Sequence, residues 1–102
     1  MDLLGTIFSA INTGLKAIDY AKAQGWLGGS DKWAVIIQAA TDGMALLERG
    51  KELFAAIIAD KSEYDRIEAM PQAAKEAEIV KRLYPTPLAD LVAKVRDQMT
   101  GA

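Results

Sequence analysis

The sequence predicts an all-α protein: a four- to five-helix bundle around one long central helix at about residues 31–60. Three observations carry this. Apolar residues recur at three- and four-residue spacing in several separate stretches. No stretch alternates with period two for long enough to form a strand. Prolines 71, 85 and 87 and glycines 25, 28 and 29 punctuate the boundaries between periodic stretches. At 102 residues, 51% hydrophobic and 25% charged, residues 1–102 read as a single helical domain of globular composition.

The first helix is expected over residues 2–24, where Leu4, Phe8, Ile11, Leu15 and Ile18 share one stripe. Only four charges occur in the first thirty residues, so the opposite face is built mainly from Ser, Thr and Asn. A core helix with a quiet surface accounts for this, and so does a helix that also touches lipid or another subunit. Gly25 suits a left-handed C-cap, and Ser30 or Asp31 suits the N-cap of the following helix.

Two adjacent apolar stripes run through the expected central helix. One comprises Trp33, Ile37, Ala40, Met44, Leu47, Phe54 and Ile58, interrupted by Lys51; the other comprises Ile36, Gly43, Leu46, Gly50, Leu53 and Ile57. Together they predict a helix buried over a wide arc, with Gly43 and Gly50 as points of bending or of close helix approach. Ser62 is the expected cap of a short helix ending near Met70, and Pro71 begins the next. That helix, Gln72 to Tyr84, should turn Ala73, Ala77, Val80 and Tyr84 inward. Tyr84-Pro85-Thr86-Pro87 must be extended or turned. With Thr86 as cap, a last helix follows whose inner positions are Leu88, Leu91, Val92, Val95 and Met99, before a frayed end at Thr100-Gly101-Ala102.

Composition narrows function. Net charge is −2; residues 1–60 carry five basic and seven acidic residues, and residues 61–102 carry seven of each. No basic stripe exists to neutralise phosphates, so nucleic acid is not an expected partner. Absence of both Cys and His removes disulfides, thiolate nucleophiles, imidazole bases and the common zinc ligands. The acid at position 2 argues against a secretory n-region, and no stretch supplies the ~20 apolar residues of a membrane span.

Carboxylates are the remaining candidates for chemistry. Glu48 and Glu52 sit at i,i+4, and Asp65 and Glu68 at i,i+3, but no histidine completes a di-metal motif and no calcium-loop spacing occurs. The glycines at 25, 28 and 29 precede a helix start, where anions bind, yet Asp31 would repel a phosphate there. No catalytic, metal or cofactor-binding residue is therefore assigned, and the chain is expected not to be an enzyme. The candidate interaction surface is the apolar excess at Trp26, Trp33, Leu53, Phe54, Ile57 and Ile58.

Leu27-Gly28-Gly29-Ser30-Asp31-Lys32-Trp33-Ala34 resembles a Leu-Gly-x-Ser-x-Lys-Trp-Ala segment of the small corynebacterial cell-wall porins, where it precedes an amphipathic helix. The resemblance covers eight residues. It implies a helical protein made without a signal peptide that oligomerises as a channel in a mycolic-acid outer membrane; some members carry mycolate on serine. Trp26-Leu27-Gly28 resembles the Trp-x-Gly turn of helical-hairpin substrates of type VII secretion, and Tyr64-Asp65-Arg66-Ile67-Glu68 resembles their Tyr-x-x-x-Asp/Glu export signal.

The resulting expectation is a non-enzymatic, self-associating helical protein of a bacterial cell envelope or outer membrane, membrane-associated or pore-forming. Its expected partners are further copies of itself, membrane lipid or another helical protein. The alternative is a soluble, cytoplasmic interaction module or adaptor, or a type VII-secreted helical protein.

Overall fold

Capping side chains and a left-handed glycine set several of the helix boundaries. The computed structural model describes residues 1–28 and 31–100, excluding the side chains of residues 31, 32, 39–41, 99 and 100. Among the described residues it contains six helices and no strand: α1 (Leu3–Ala23), α2 (Asp31–Thr41), α3 (Gly43–Ile58), α4 (Lys61–Glu68), α5 (Gln72–Leu83) and α6 (Thr86–Thr100). The all-α bundle is as the sequence predicts. The cap expected at Ser30 or Asp31, the side chains of Ala40 and Met99, and the end at Gly101-Ala102 lie outside what is described.

The single long helix expected at 31–60 is instead two. Asp42 takes an extended conformation (φ −73°, ψ 96°), and its Oδ1 accepts a hydrogen bond from the Ala45 amide at 3.2 Å. An aspartate competes with the helix for backbone amides and so restarts it, and Gly43 beside it weakens any continuation. The chain is unbroken at Gly50, where the Cβ of a larger residue would lie 3.1 Å from Ile7 Cγ2. That glycine permits the close approach of α1 and α3. Asp60, not Ser62, caps α4 by accepting from the Glu63 amide at 3.2 Å.

The central element is α1, which packs against α2, α3, α5 and α6. Asp2 caps its start, accepting from the Gly5 amide at 2.8 Å. At its end, Gly25 has φ +73°, its amide bonds to Lys22 O, and the Trp26 amide bonds back to Ala21 O. This pair of bonds is a Schellman termination, as the glycine at 25 predicts.

The face that α1 buries coincides with the expected stripe at Ile18 but departs from it toward the start of the helix. Leu3, Ile7, Ala10, Gly14, Ala17, Ile18 and Ala21 are buried, while Leu4 and Phe8 are exposed and Ile11 and Leu15 half-buried. Small residues line the interface because the neighbours come close. Tyr84 packs on Gly14, where an added Cβ would overlap its hydroxyl and Cζ and lie 2.8 Å from Cε2.

On α5 the expected inner side holds at Val80 and Tyr84, which are buried, but not at Ala73 and Ala77, which are exposed; Lys75, Ile79 and Leu83 are buried in their place. Lys75 buries its stem while its ammonium donates to the Met1 carbonyl at 3.0 Å and meets Glu68 at 3.5 Å. The break at Met70-Pro71 is present, with Pro71 capping α5 by position. Pro85 rather than Thr86 precedes α6, its carbonyl accepting from the Leu88 and Ala89 amides. The α6 stripe is as predicted: Leu88, Leu91, Val92 and Val95 are buried. Burial of such a side chain contributes about 1.5–3 kcal/mol.

The protein is a slab of 43 × 32 × 17 Å. Seventeen ångströms accommodates about two helix layers, at 8–10 Å between packed axes. A slab this thin leaves large apolar side chains at its surface, among them Leu4 and Phe8 of α1 and Met44 and Leu47 of α3.

Candidate functional surface

The two stripes of the sequence separate on α3, and this creates the candidate surface. Leu46, Gly50 and Ile57 are buried against α1 and the core, with Leu53 half-buried beside them. The other stripe points outward: Met44 is 78% exposed, Leu47 45% and Ile58 48%, with Phe54 half-buried. Midway along the outward stripe, Lys51 and Glu48 form an exposed ion pair at 3.8 Å. On α1, Ile7 and Ile11 face Gly50 of α3. Leu4 and Phe8 lie seven and three residues before Ile11, on the same side of their helix, and both are exposed. Both α1 and α3 thus leave large apolar side chains exposed, those of α3 interspersed with Glu48 and Lys51.

Of the residues expected at an interaction surface, Ile58 is exposed. Ile57 is not: it is 1% exposed and belongs to the core. One residue is 100° around a helix from the next, so neighbours in sequence take opposite environments. Leu53, Phe54, Trp26 and Trp33 are half-buried and packed against the core. Trp26 meets Tyr20 edge-to-face, with centroids 5.5 Å apart, and the Lys94 ammonium lies 4.1 Å from its ring centroid. These contacts seat Trp26 within its own domain.

The carboxylate pairs separate as well. Asp65 pairs with Lys61 at 3.0 Å, Glu68 turns to Lys75, and Glu48 pairs with Lys51. No group of His, Cys, Asp or Glu that could hold a metal ion occurs among the described residues.

Three features went unread in the sequence. Glu63, Arg66, Glu78 and Arg82 form one network between α4 and α5: Arg66 pairs with Glu63 at 2.8 Å, Arg82 with Glu78 at 2.9 Å, and Arg82 also reaches Glu63. Hydrogen bonds from the two guanidinium groups hold the Glu63 carboxyl down at about 2. The i,i+3 and i,i+4 spacings were the available signal; the link between helices was not.

The second is the hydroxyl of Tyr84, a residue expected inward: it is placed to donate to the Ala10 and Ile11 carbonyls, each 3.1 Å away. Burial pushes its phenol up to about 12, with a small opposing effect from Arg49. The third is a cleft of about 260 Å³ between α5 and α6, floored by Ala77, Val80, Ala89, Val92 and Ala93 and edged by Lys81, Thr86, Asp90 and Arg96.

No helix among the described residues is long and apolar enough to cross a membrane. Comparison with protein-family models, with curated proteins and with solved structures finds no match to this chain.

Proposed function

We propose that this is a non-enzymatic, self-associating helical protein of a bacterial cell envelope, which acts by assembling through its uncovered apolar face. The observation that supports this is the outward stripe of α3, Met44-Leu47-Ile58, together with exposed Leu4 and Phe8 on α1, which packs against α3. Exposed apolar residues on packed neighbouring helices favour association, because water is released when a second apolar surface covers them. Envelope placement, and membrane association or pore formation by an assembly, rest on the resemblance of Leu27–Ala34 to the corynebacterial porins. The test is fractionation of the native host combined with vesicle flotation and bilayer conductance. Envelope localisation with vesicle binding supports the reading; a monomer confined to the cytosol that ignores vesicles contradicts it.

One observation favours a second reading, a soluble interaction module. The Glu48–Lys51 pair interrupts the outward stripe at its midpoint. Charges there suit a protein partner with complementary charges better than a hydrocarbon phase. Such a protein would bind a partner helix in solution and leave vesicles unbound.

A further inference from the structure

The outward stripe of α3 has heptad spacing: Met44, Leu47, Lys51, Phe54 and Ile58 follow each other at three, four, three and four residues, all exposed except Phe54, which is half-buried with one side against the core. Met44, Lys51 and Ile58 thus occupy a positions and Leu47 and Phe54 occupy d positions of a coiled-coil seam. A lone lysine at an a position is a known device for setting register and strand number. Here its side chain and that of Glu48 are 75% and 66% exposed, so both are free to reach beyond their own helix.

We infer that the occupant of this stripe is the same stripe of a second copy of the chain, running antiparallel, with each Lys51 set against Leu47 and Glu48 of the other copy. This rests on the self-association proposed above and adds partner, orientation and register. Charge decides among the arrangements. A parallel, in-register pair would put the two Lys51 ammonium groups into one layer, face to face. In the antiparallel pair a positions pack against d positions, so Lys51 lies level with Leu47 of the second copy and one residue from its Glu48. The two lysines are then offset by about 6 Å along the axis, and two ammoniums alternate with two carboxylates in a neutral cluster. Met44 falls level with Phe54 of the second copy on both sides of the two-fold axis. A surface that carries its own complement in this way closes as an isologous dimer rather than growing as a filament.

The chain has no cysteine, so single-cysteine variants report the geometry directly. Met44 and Ala55 are both exposed. An equimolar mixture of Met44→Cys and Ala55→Cys chains should form a disulfide-linked heterodimer under mild oxidation. Met44→Cys alone should not, because its two thiols would be about 15 Å apart along the axis. Glu48→Lys and Lys51→Glu should each weaken the dimer about tenfold, and the Glu48→Lys/Lys51→Glu double exchange should restore it. All these positions are exposed, and far-ultraviolet circular dichroism confirms the fold in each variant. Ready self-linking of Met44→Cys overturns the antiparallel register while leaving self-association intact. A chain that stays monomeric overturns the pairing; if that monomer still floats with vesicles, the apolar face remains a membrane surface. Failure of the double exchange to restore the dimer overturns the charge-set register.

Discussion

Tyr84 packs its ring on Gly14, and the glycine is what lets the phenol hydroxyl come within 3.1 Å of the Ala10 and Ile11 carbonyls. The tyrosine ends α5, so this one contact joins that turn to the middle of α1. Replacing Gly14 by alanine raises intrinsic helix propensity by about 1 kcal/mol, which alone would stabilise. Overlap of the new methyl with the ring works the other way, and forced repacking costs about 1–3 kcal/mol or more. It would also strip the buried hydroxyl of its partners. We therefore expect Gly14→Ala to be destabilising by about 2 kcal/mol net in urea unfolding. In a Tyr84→Ala background the same substitution should become neutral or stabilising, a reversal that no local effect at position 14 would produce.

The start of α4 distinguishes two caps. Asp60 accepts from the Glu63 amide, whereas Ser62 lies inside the helix. Asp60→Ala should lower stability by about 1 kcal/mol, as lost N-caps do. Ser62→Ala should remain within about 0.5 kcal/mol of the parent. Thermal melts of the two variants side by side give the ordering.

Acid should loosen the α4–α5 network in a defined window. The Glu63 carboxyl titrates at about 2 in the folded chain, below its ordinary range, because Arg66 and Arg82 stabilise the charged form. A depressed folded value contributes stability that is fully present above the unfolded value of about 4.3 and lost as pH falls toward 2. Glu63→Gln should flatten that part of the stability–pH curve and leave its neutral-to-alkaline part unchanged in shape. Added salt should shrink the difference, since the network is at the surface.

Adjacent isoleucines on α3 should behave oppositely. Ile57 is in the core and Ile58 is half exposed. Ile57→Ala should cost about 2–5 kcal/mol through lost burial and a residual cavity. Ile58→Ala should cost under about 1 kcal/mol in the monomer, its main effect falling on association. Chemical denaturation at low protein concentration separates the two.

These contrasts also show what was legible before the fold was known. The α6 stripe was read correctly because Leu88, Leu91, Val92 and Val95 are large and face one continuous core. The breaks at Met70-Pro71 and at Tyr84-Pro85 were legible because proline restricts its own backbone and that of its predecessor. The buried face of α1 was not, since Ala10, Gly14 and Ala17 are buried only because chains distant in sequence come close to them. Tyr84 lies seventy residues downstream of Gly14. Lys75 was unreadable as a core residue for the same reason: its partners are a carbonyl at residue 1 and a carboxylate at residue 68. The split at Asp42 falls beside Gly43, an expected point of bending, and is a full break rather than a bend. Asp-Gly is a turn dipeptide, and here it outweighs the apolar periodicity on either side. For the candidate surface, both stripes of α3 were visible, but which one faced inward depended on where α1 lay.

Sedimentation velocity of the native chain beside a Met44→Ser/Leu47→Ser/Ile58→Ser triple variant tests whether the outward stripe drives assembly without supporting the fold. The native chain should show concentration-dependent assembly, and the variant should be a monomer of unchanged helical content. A native chain that sediments as a monomer throughout, or a variant that assembles as well as its parent, would contradict it.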